Sequence, residues 1–128
     1  MASRYLIDTD VLIEYLRGSD RAAEFLEQLE GDLLISAITV AELFSGAQGS
    51  DEIEALDEFI MPFEVVPVDE ALARAGGELR QEYHASRGVG LAEALIAASA
   101  LDREAELVSF NRRYYPMLED LTVPYERR

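Results

Sequence analysis

The residues of this chain that are best suited to chemistry are four acids set among apolar residues. Asp8 and Asp10 separate two apolar runs near the start of the chain, while Glu42 and Glu93 each stand alone in a long uncharged stretch. An ionised carboxylate in apolar surroundings costs on the order of several kcal/mol unless it is hydrogen-bonded, paired or bound to a metal. Each of these acids therefore needs a partner.

The chemistry that these acids favour is metal-assisted hydrolysis. The chain has no cysteine, and its one histidine, His84, lies in a polar helix end where we expect no metal or catalytic role. Carboxylate oxygens without thiolate select hard cations, so we expect Mg²⁺ or Mn²⁺. An ion that orients a water molecule and neutralises charge on a phosphodiester accounts for such a site.

Helix capping is the alternative explanation for each acid taken singly. Thr39-Val40-Ala41-Glu42 fits a capping box, Asp10 can cap the first predicted helix, and Glu93 can lie in the first turn of another. Taken together, acids at a strand end and at two helix starts, all beside apolar runs, are better explained by one shared pocket.

The elements that must position these acids alternate along the chain. We predict strands at 4–8, 33–36, 64–68, 106–109 and 121–123. We predict helices at 9–17, 21–30, 40–47, 51–60, 69–86 and 91–103, with a short one near 114. Asp20 and Ser50 are the expected caps of the second and fourth helices, and two glycines weaken the fifth. Strands separated by helices predict an α/β fold, a three-layer α/β/α sandwich with a central parallel sheet.

Length and composition predict one domain, residues 1–128. The chain has 128 residues, of which 49% are hydrophobic, enough for one core. We expect a cytoplasmic protein without a membrane partner, because neither a signal peptide nor a spanning helix is evident.

The charge of the chain is strongly negative. Its net charge is −15, from 26 acidic and 11 basic residues, and every base is arginine. Such a composition is typical of proteins that work at high salt, and a GC-rich genome explains it equally well. At molar salt the screening length falls to roughly 3 Å, so net charge does not exclude a nucleic-acid substrate.

Four segments resemble the PIN-domain nucleases, specifically the VapC-type toxins of toxin-antitoxin pairs. In their order and spacing they span nearly the whole chain. They are Leu6-Ile7-Asp8-Thr9-Asp10-Val11-Leu12-Ile13, Ser36-Ala37-Ile38-Thr39-Val40-Ala41-Glu42-Leu43, Leu91 to Leu101 around Glu93, and Leu107-Val108-Ser109-Phe110-Asn111. The resemblance implies a PIN-like fold. It also implies a Mg²⁺- or Mn²⁺-dependent endoribonuclease that hydrolyses RNA phosphodiesters as the toxin of a type II module.

The same resemblance assigns roles to residues and implies partners. Asp8, Glu42 and Glu93 are the catalytic, metal-binding acids, and the supporting residues are Asp10, Ser109 and Asn111. The implied partners are an RNA substrate, a VapB-like antitoxin and a second copy of the chain in a homodimer. RNA needs positive groups and stacking surfaces near the metal, which predicts substrate contacts from Arg112, Arg113 and Tyr114.

Two departures from the family pattern keep other functions open. Glu93 stands where the family usually has aspartate. Tyrosine stands where many relatives place a fourth acid or a histidine, so we expect one bound ion. A degenerate PIN domain that binds RNA or protein without cutting is therefore an alternative. A haloacid-dehalogenase-type phosphatase is a minor one, because Asp8-Thr9-Asp10 echoes its nucleophile motif but the chain has no lysine for the phosphate.

Overall fold

A parallel sheet forms the centre of the protein. The structure is a computed structural model, and it describes residues 3–127. Its strands are β1 (Arg4–Ile7), β2 (Asp32–Ser36), β3 (Glu64–Val66), β4 (Glu106–Val108) and β5 (Leu121–Thr122). Their order is β3-β2-β1-β4-β5, and every neighbouring pair is parallel. The sheet runs outward from β1 in both directions, which places the topological switch point, where such folds bind ligands, at the end of β1.

Helices cover both faces of the sheet, which confirms the predicted three-layer sandwich. They are α1 (Thr9–Leu16), α2 (Asp20–Gln28), α3 (Ala37–Ser45), α4 (Gly49–Ile60), α5 (Glu70–Arg87) and α6 (Leu91–Asp102), with a 3-10 helix at Arg112–Tyr114. Within residues 3–127, no helix is both long and apolar enough to cross a bilayer.

Two cores result from the alternation of side chains along the strands. Leu6 of β1 packs on one face with residues of α6, while its neighbour Ile7 packs on the other face with residues of α1 and α3. Successive residues of a strand point to opposite faces, so β1, buried on both sides, is apolar throughout its second half. Asp8 follows immediately, and the chain turns into α1 there.

The caps of several helices differ from the predicted ones. Ser19, not Asp20, caps α2 by accepting a hydrogen bond from Ala22 N. Ser36 caps α3, which begins earlier than predicted, so the capping box at Thr39 was wrong. Ser50 lies inside α4, whose N-cap is Gln48. α3 begins earlier than predicted because Ser36, the last residue of β2, serves directly as its cap, with no loop between the two elements.

Gly76 has a packing role that the sequence did not indicate. It is buried in α5, and a Cβ on it would lie 3.0 Å from Cγ and 3.2 Å from Cα of Leu95 in α6. A side chain there would force the two helices apart. The glycine that was expected to weaken α5 therefore lets it pack closely against the helix that carries Glu93.

Candidate active site

Asp8 lies at the carboxyl end of β1 and is almost fully buried, with 5% of its surface exposed. Its Oδ1 accepts a hydrogen bond from the backbone N–H of Thr9 at 2.8 Å, which makes it the N-cap of α1. Its Oδ2 accepts two more, from Ser109 Oγ at 2.7 Å and from Tyr115 Oη at 2.9 Å. Burial raises the pKa of Asp8, and the charge of Glu42 adds to this, against the opposing effect of the three hydrogen bonds.

Asp10 lies in the first turn of α1 and ties that helix to the end of β4. Its Oδ2 accepts hydrogen bonds of 3.0 Å from Phe110 N and from Asn111 Nδ2. Its Oδ1 is buried and has no hydrogen-bond partner among the residues that the structure describes. Burial, and next the charge of Asp8, raise the pKa of Asp10 to about 7. The alternative that Asp10 caps α1 is wrong, because Asp8 fills that position.

Glu42 lies on α3 and is exposed. Its neighbour Leu43 packs in the core, whereas the Glu42 side chain is open to solvent and is not enclosed by apolar groups. Its Oε1 accepts a hydrogen bond of 2.7 Å from Thr9 Oγ1, which also lies 2.9 Å from Thr39 Oγ1. Thr9 thus joins the start of α1 to α3 beside Asp8.

Glu93 lies in the first turn of α6 and is half-buried. Its Oε1 accepts a hydrogen bond of 3.2 Å from the backbone N–H of Gly90, the arm of a capping box in which the side chain reaches back to the N-cap. The capping role that the sequence left open for Glu93 is therefore present in the structure.

The four acids line one pocket of about 260 Å³. The other lining residues are Thr9, Ile13, Ile96, Asn111, Tyr114 and Tyr115. Among residues 3–127 no basic side chain lines it, so this part of the chain presents carboxylate, hydroxyl and amide oxygens to the pocket. His84 lies elsewhere, with Nδ1 3.1 Å from Val89 O near the end of α5.

A hard divalent cation fits the chemistry of this donor set. The pocket is lined by carboxylate oxygens, and the buried Oδ1 of Asp10 lacks a partner that a cation or an ordered water would supply. Within residues 3–127, however, no three acidic or histidine side chains lie close enough together to share one ion as they stand. Internal hydrogen bonds hold Asp8 and Glu93 instead.

The predicted substrate-contacting residues lie at different places around the pocket. Tyr114 lines it, whereas Arg112 and Arg113 do not. Arg112 donates to the carbonyl of Leu121 at 3.3 Å, on the strand β5. The guanidinium of Arg113 lies 5.0 Å from the centre of the Tyr114 ring. Of the supporting residues, Ser109 contacts both Asp8 and Asp10, and Asn111 contacts Asp10.

Sequence reasoning missed the contacts that Thr9 and Tyr115 make in this pocket. Tyr115 had no predicted contact with the acids, but it is 2% exposed and its hydroxyl donates a hydrogen bond to Asp8. A buried tyrosine needs a hydrogen-bond partner, yet nothing in the local sequence identifies that partner. Burial and the charge of Asp8 raise the pKa of Tyr115 well above its ordinary value, so the hydroxyl stays a neutral donor.

Comparison with known proteins agrees with the resemblance. The PIN domain family model matches residues 5–117. Two similar proteins of Mycobacterium tuberculosis are ribonuclease VapC19, 37% identical over 94% of this chain and 98% of its own length, and ribonuclease VapC10, 35% identical over 94% and 92%. A toxin-antitoxin complex from Klebsiella pneumoniae includes a similar chain, with a TM-score of 0.84 and 28% identity over 96% of this chain and 99% of that one.

These matches give no support to the phosphatase alternative, whose only basis was the spacing of Asp8 and Asp10. They extend over nearly the whole described structure, including all four acidic positions of the pocket. The chain belongs to the PIN-domain family, as a member of its VapC-type group.

Proposed function

We propose that this chain is a Mg²⁺- or Mn²⁺-dependent endoribonuclease that acts in the cytoplasm as the toxin of a type II toxin-antitoxin module, with residues 1–128 as one nuclease domain. The observation that carries the proposal is the pocket at the end of β1, which is lined by four carboxylates: Asp8 at that strand end and one acid each from α1, α3 and α6. The similarity to two proteins named ribonuclease VapC supports RNA as the substrate.

Asp8, Glu42 and Glu93 would hold the ion, as the catalytic acids of the site. When bound, a divalent ion polarises the phosphodiester and lowers the pKa of a water molecule. Hydrolysis joins the water oxygen to phosphorus and breaks one ester P–O bond, while the leaving oxygen takes up a proton.

The other residues of the pocket act on these acids. Ser109 and Tyr115 fix the orientation of the Asp8 carboxylate through their hydroxyl groups. Asp10 and Asn111 hold the end of β4 against α1, which keeps Ser109 in place. Tyr114 offers a ring at the pocket wall against which a base can stack.

The proposed protein partner is a VapB-like antitoxin. Several similar solved structures are described as toxin-antitoxin or VapBC complexes, including one from Klebsiella pneumoniae and VapBC2 from Rickettsia felis. A homodimer of this chain is part of the same proposal.

Cleavage of RNA by purified protein, with antitoxin removed, tests the proposed function. Total RNA is incubated with Mn²⁺ or Mg²⁺ at low and at high KCl, beside Asp8→Asn and Asp57→Asn. Asp57 is an exposed acid of α4 outside the pocket, so its variant makes the same charge change elsewhere. We expect cleavage by wild type and Asp57→Asn, and its loss in Asp8→Asn. Equal cleavage by all three proteins would refute the site.

A second candidate function is an RNA- or protein-binding module without nuclease activity. The capping contact of Glu93 with Gly90 favours it, because that hydrogen bond gives Glu93 a structural role that needs no metal. Wild-type protein that binds RNA but leaves it intact at every salt concentration, with either ion, would support this function instead.

A further inference from the structure

A second cavity of about 460 Å³ adjoins the acidic pocket. Its lining residues are Ser86, Arg87, Gly88, Arg113 and Tyr114, and Tyr114 lines the acidic pocket as well. We call this cavity the arginine notch. One wall comes from the end of α5 and the other from the 3-10 helix, so two segments distant in sequence bring their arginines together beside the proposed nuclease site.

The arginines of the notch are exposed, and among the described residues no acid pairs with them. Within residues 3–127, neither Arg87 nor Arg113 forms an ion pair, as is true of most arginines in this part of the chain. What distinguishes these two is that both line one cavity. In a chain with 26 acidic and 11 basic residues, two such arginines in one cavity make a local site for an anion against an otherwise repulsive surface.

The local backbone keeps the notch open. Gly88 ends α5 in the left-handed conformation, with φ of 68°, and its N–H bonds to His84 O. A Cβ added at Gly88 would meet no atom within 4 Å, so open space lies beside the turn. Arg113 is held on the other wall by its stacking over the Tyr114 ring, 5.0 Å from its centre.

We propose that the arginine notch binds a backbone phosphate of the RNA adjacent to the phosphate that is cut. This inference rests on the proposed function and names how the same site holds its substrate. The planar guanidinium donors of Arg87 and Arg113 match phosphate oxygens, and the shared Tyr114 ring supplies a stacking surface between notch and pocket. The two arginines offset the repulsion that four carboxylates exert on an approaching phosphodiester.

RNA is favoured over an acidic peptide because of where the notch lies. A ligand that passes from the notch into the acidic pocket must present an anionic group to the arginines of the notch. In the pocket it must be able to bind a cation that the carboxylates hold. A phosphodiester backbone meets both requirements, since its phosphates bind arginine directly and carboxylates through a divalent ion.

Binding of a fluorescein-labelled single-stranded RNA, followed by fluorescence anisotropy in EDTA over a range of KCl, tests the inference. The variants are Arg87→Gln, Arg113→Gln and the double variant. Arg74→Gln is the matched control, because Arg74 is an exposed arginine of the same helix that lies outside the notch. Thermal unfolding of each variant checks that these exposed positions leave the fold intact.

We expect each notch variant to raise Kd about fivefold at low KCl and to reduce the slope of log Kd against log KCl by about 0.7 for each arginine removed. The double variant should show roughly twice the change in slope. Arg87→Lys should keep most of the wild-type slope, because lysine keeps the charge, and the control Arg74→Gln should match wild type. Notch variants that bind RNA like Arg74→Gln would overturn the inference, as would wild type that fails to bind RNA. Binding of poly-glutamate with the same arginine dependence, in place of RNA, would also overturn it.

Failure of this inference is distinguishable from failure of the proposed function. Arginine-dependent binding without cleavage would uphold the notch and refute the nuclease. Cleavage that is abolished by Asp8→Asn but unchanged by Arg87→Gln and Arg113→Gln would uphold the nuclease and refute the notch.

Discussion

The hydroxyl of Tyr115 donates a hydrogen bond of 2.9 Å to Oδ2 of Asp8, across 107 positions of sequence. Both residues are nearly inaccessible to solvent. The ring of Tyr115 packs in the core formed with α5 and α6, so this one contact joins that core to the first acid of the proposed site.

Tyr115→Phe should keep the packing of the ring and remove this hydrogen bond. A hydrogen bond to a charged group contributes about 1.5 to 3 kcal/mol, so we expect a loss of that order in the free energy of unfolding, measured by urea denaturation at neutral pH. Without the donor the pKa of Asp8 should rise further, and the acid limb of the pH-rate profile for RNA cleavage should move to higher pH. Tyr83→Phe, on α5, is the control. Equal stability of the two variants would contradict the role given to this hydroxyl.

Asp10 should make the metal-free protein less stable as pH rises. Its pKa is about 7 in the folded protein and about 3.9 when unfolded. Because the folded state holds the proton more tightly, the stabilisation is fully present below about pH 4 and is lost as pH rises to 7.

Thermal unfolding in EDTA from pH 4 to pH 8 measures this effect as the difference between wild type and Asp10→Asn, which cancels the contribution of acids that do not interact with Asp10. The difference should shift by on the order of 4 kcal/mol across that range, since each tenfold difference in proton affinity between the folded and unfolded states contributes about 1.4 kcal/mol. Addition of Mn²⁺ should stabilise wild type more at pH 8 than at pH 5. A difference that stays constant with pH would show that Asp10 is ionised throughout.

Glu93→Gln separates the capping role of Glu93 from metal binding. The amide oxygen can still accept the hydrogen bond from Gly90 N, so stability should change by less than about 0.5 kcal/mol, whereas Glu93→Ala should lose about 1 kcal/mol with the cap. Both variants should lose RNA cleavage, since neither has a carboxylate at position 93 to bind the ion. Retained cleavage in Glu93→Gln would show that Glu93 is not one of the metal-binding acids. A gain of cleavage in Glu93→Asp would show that the longer side chain of glutamate weakens the metal site.

Gly76 and Gly77, neighbours in α5, should respond oppositely to substitution by alanine. At Gly77 a Cβ would meet no atom within 4 Å, and alanine should stabilise the helix by about 0.5 to 1 kcal/mol. At Gly76 the Cβ would press on Leu95, and overpacking should outweigh the same helical gain, with a net loss of about 1 kcal/mol. Urea denaturation of both variants measures the contrast, and stabilisation by Gly76→Ala would show that α6 moves at little cost.

Much of the fold and part of the site were predictable from local patterns. The strand and helix order followed from hydrophobic periodicity and glycine positions, and Asp8 followed from its place after an apolar run. The isolated positions of Glu42 and Glu93 led to the pocket that both line. Their metal-binding role remains a prediction. The sequence did not predict that Arg112 and Arg113 lie in separate environments, or that Ser36 caps α3. Both features depend on how secondary-structure elements contact one another.

The sequence by itself determined the layered α/β architecture and the acids at its strand and helix ends, because periodicity and isolated charge are properties of neighbouring residues. Only the tertiary structure decided what those acids contact. The order β3-β2-β1-β4-β5 places β4 beside β1, which brings Ser109, Asn111 and Tyr115 to Asp8 and Asp10. Such partners depend on strand pairing across about a hundred residues, and no local pattern encodes that pairing.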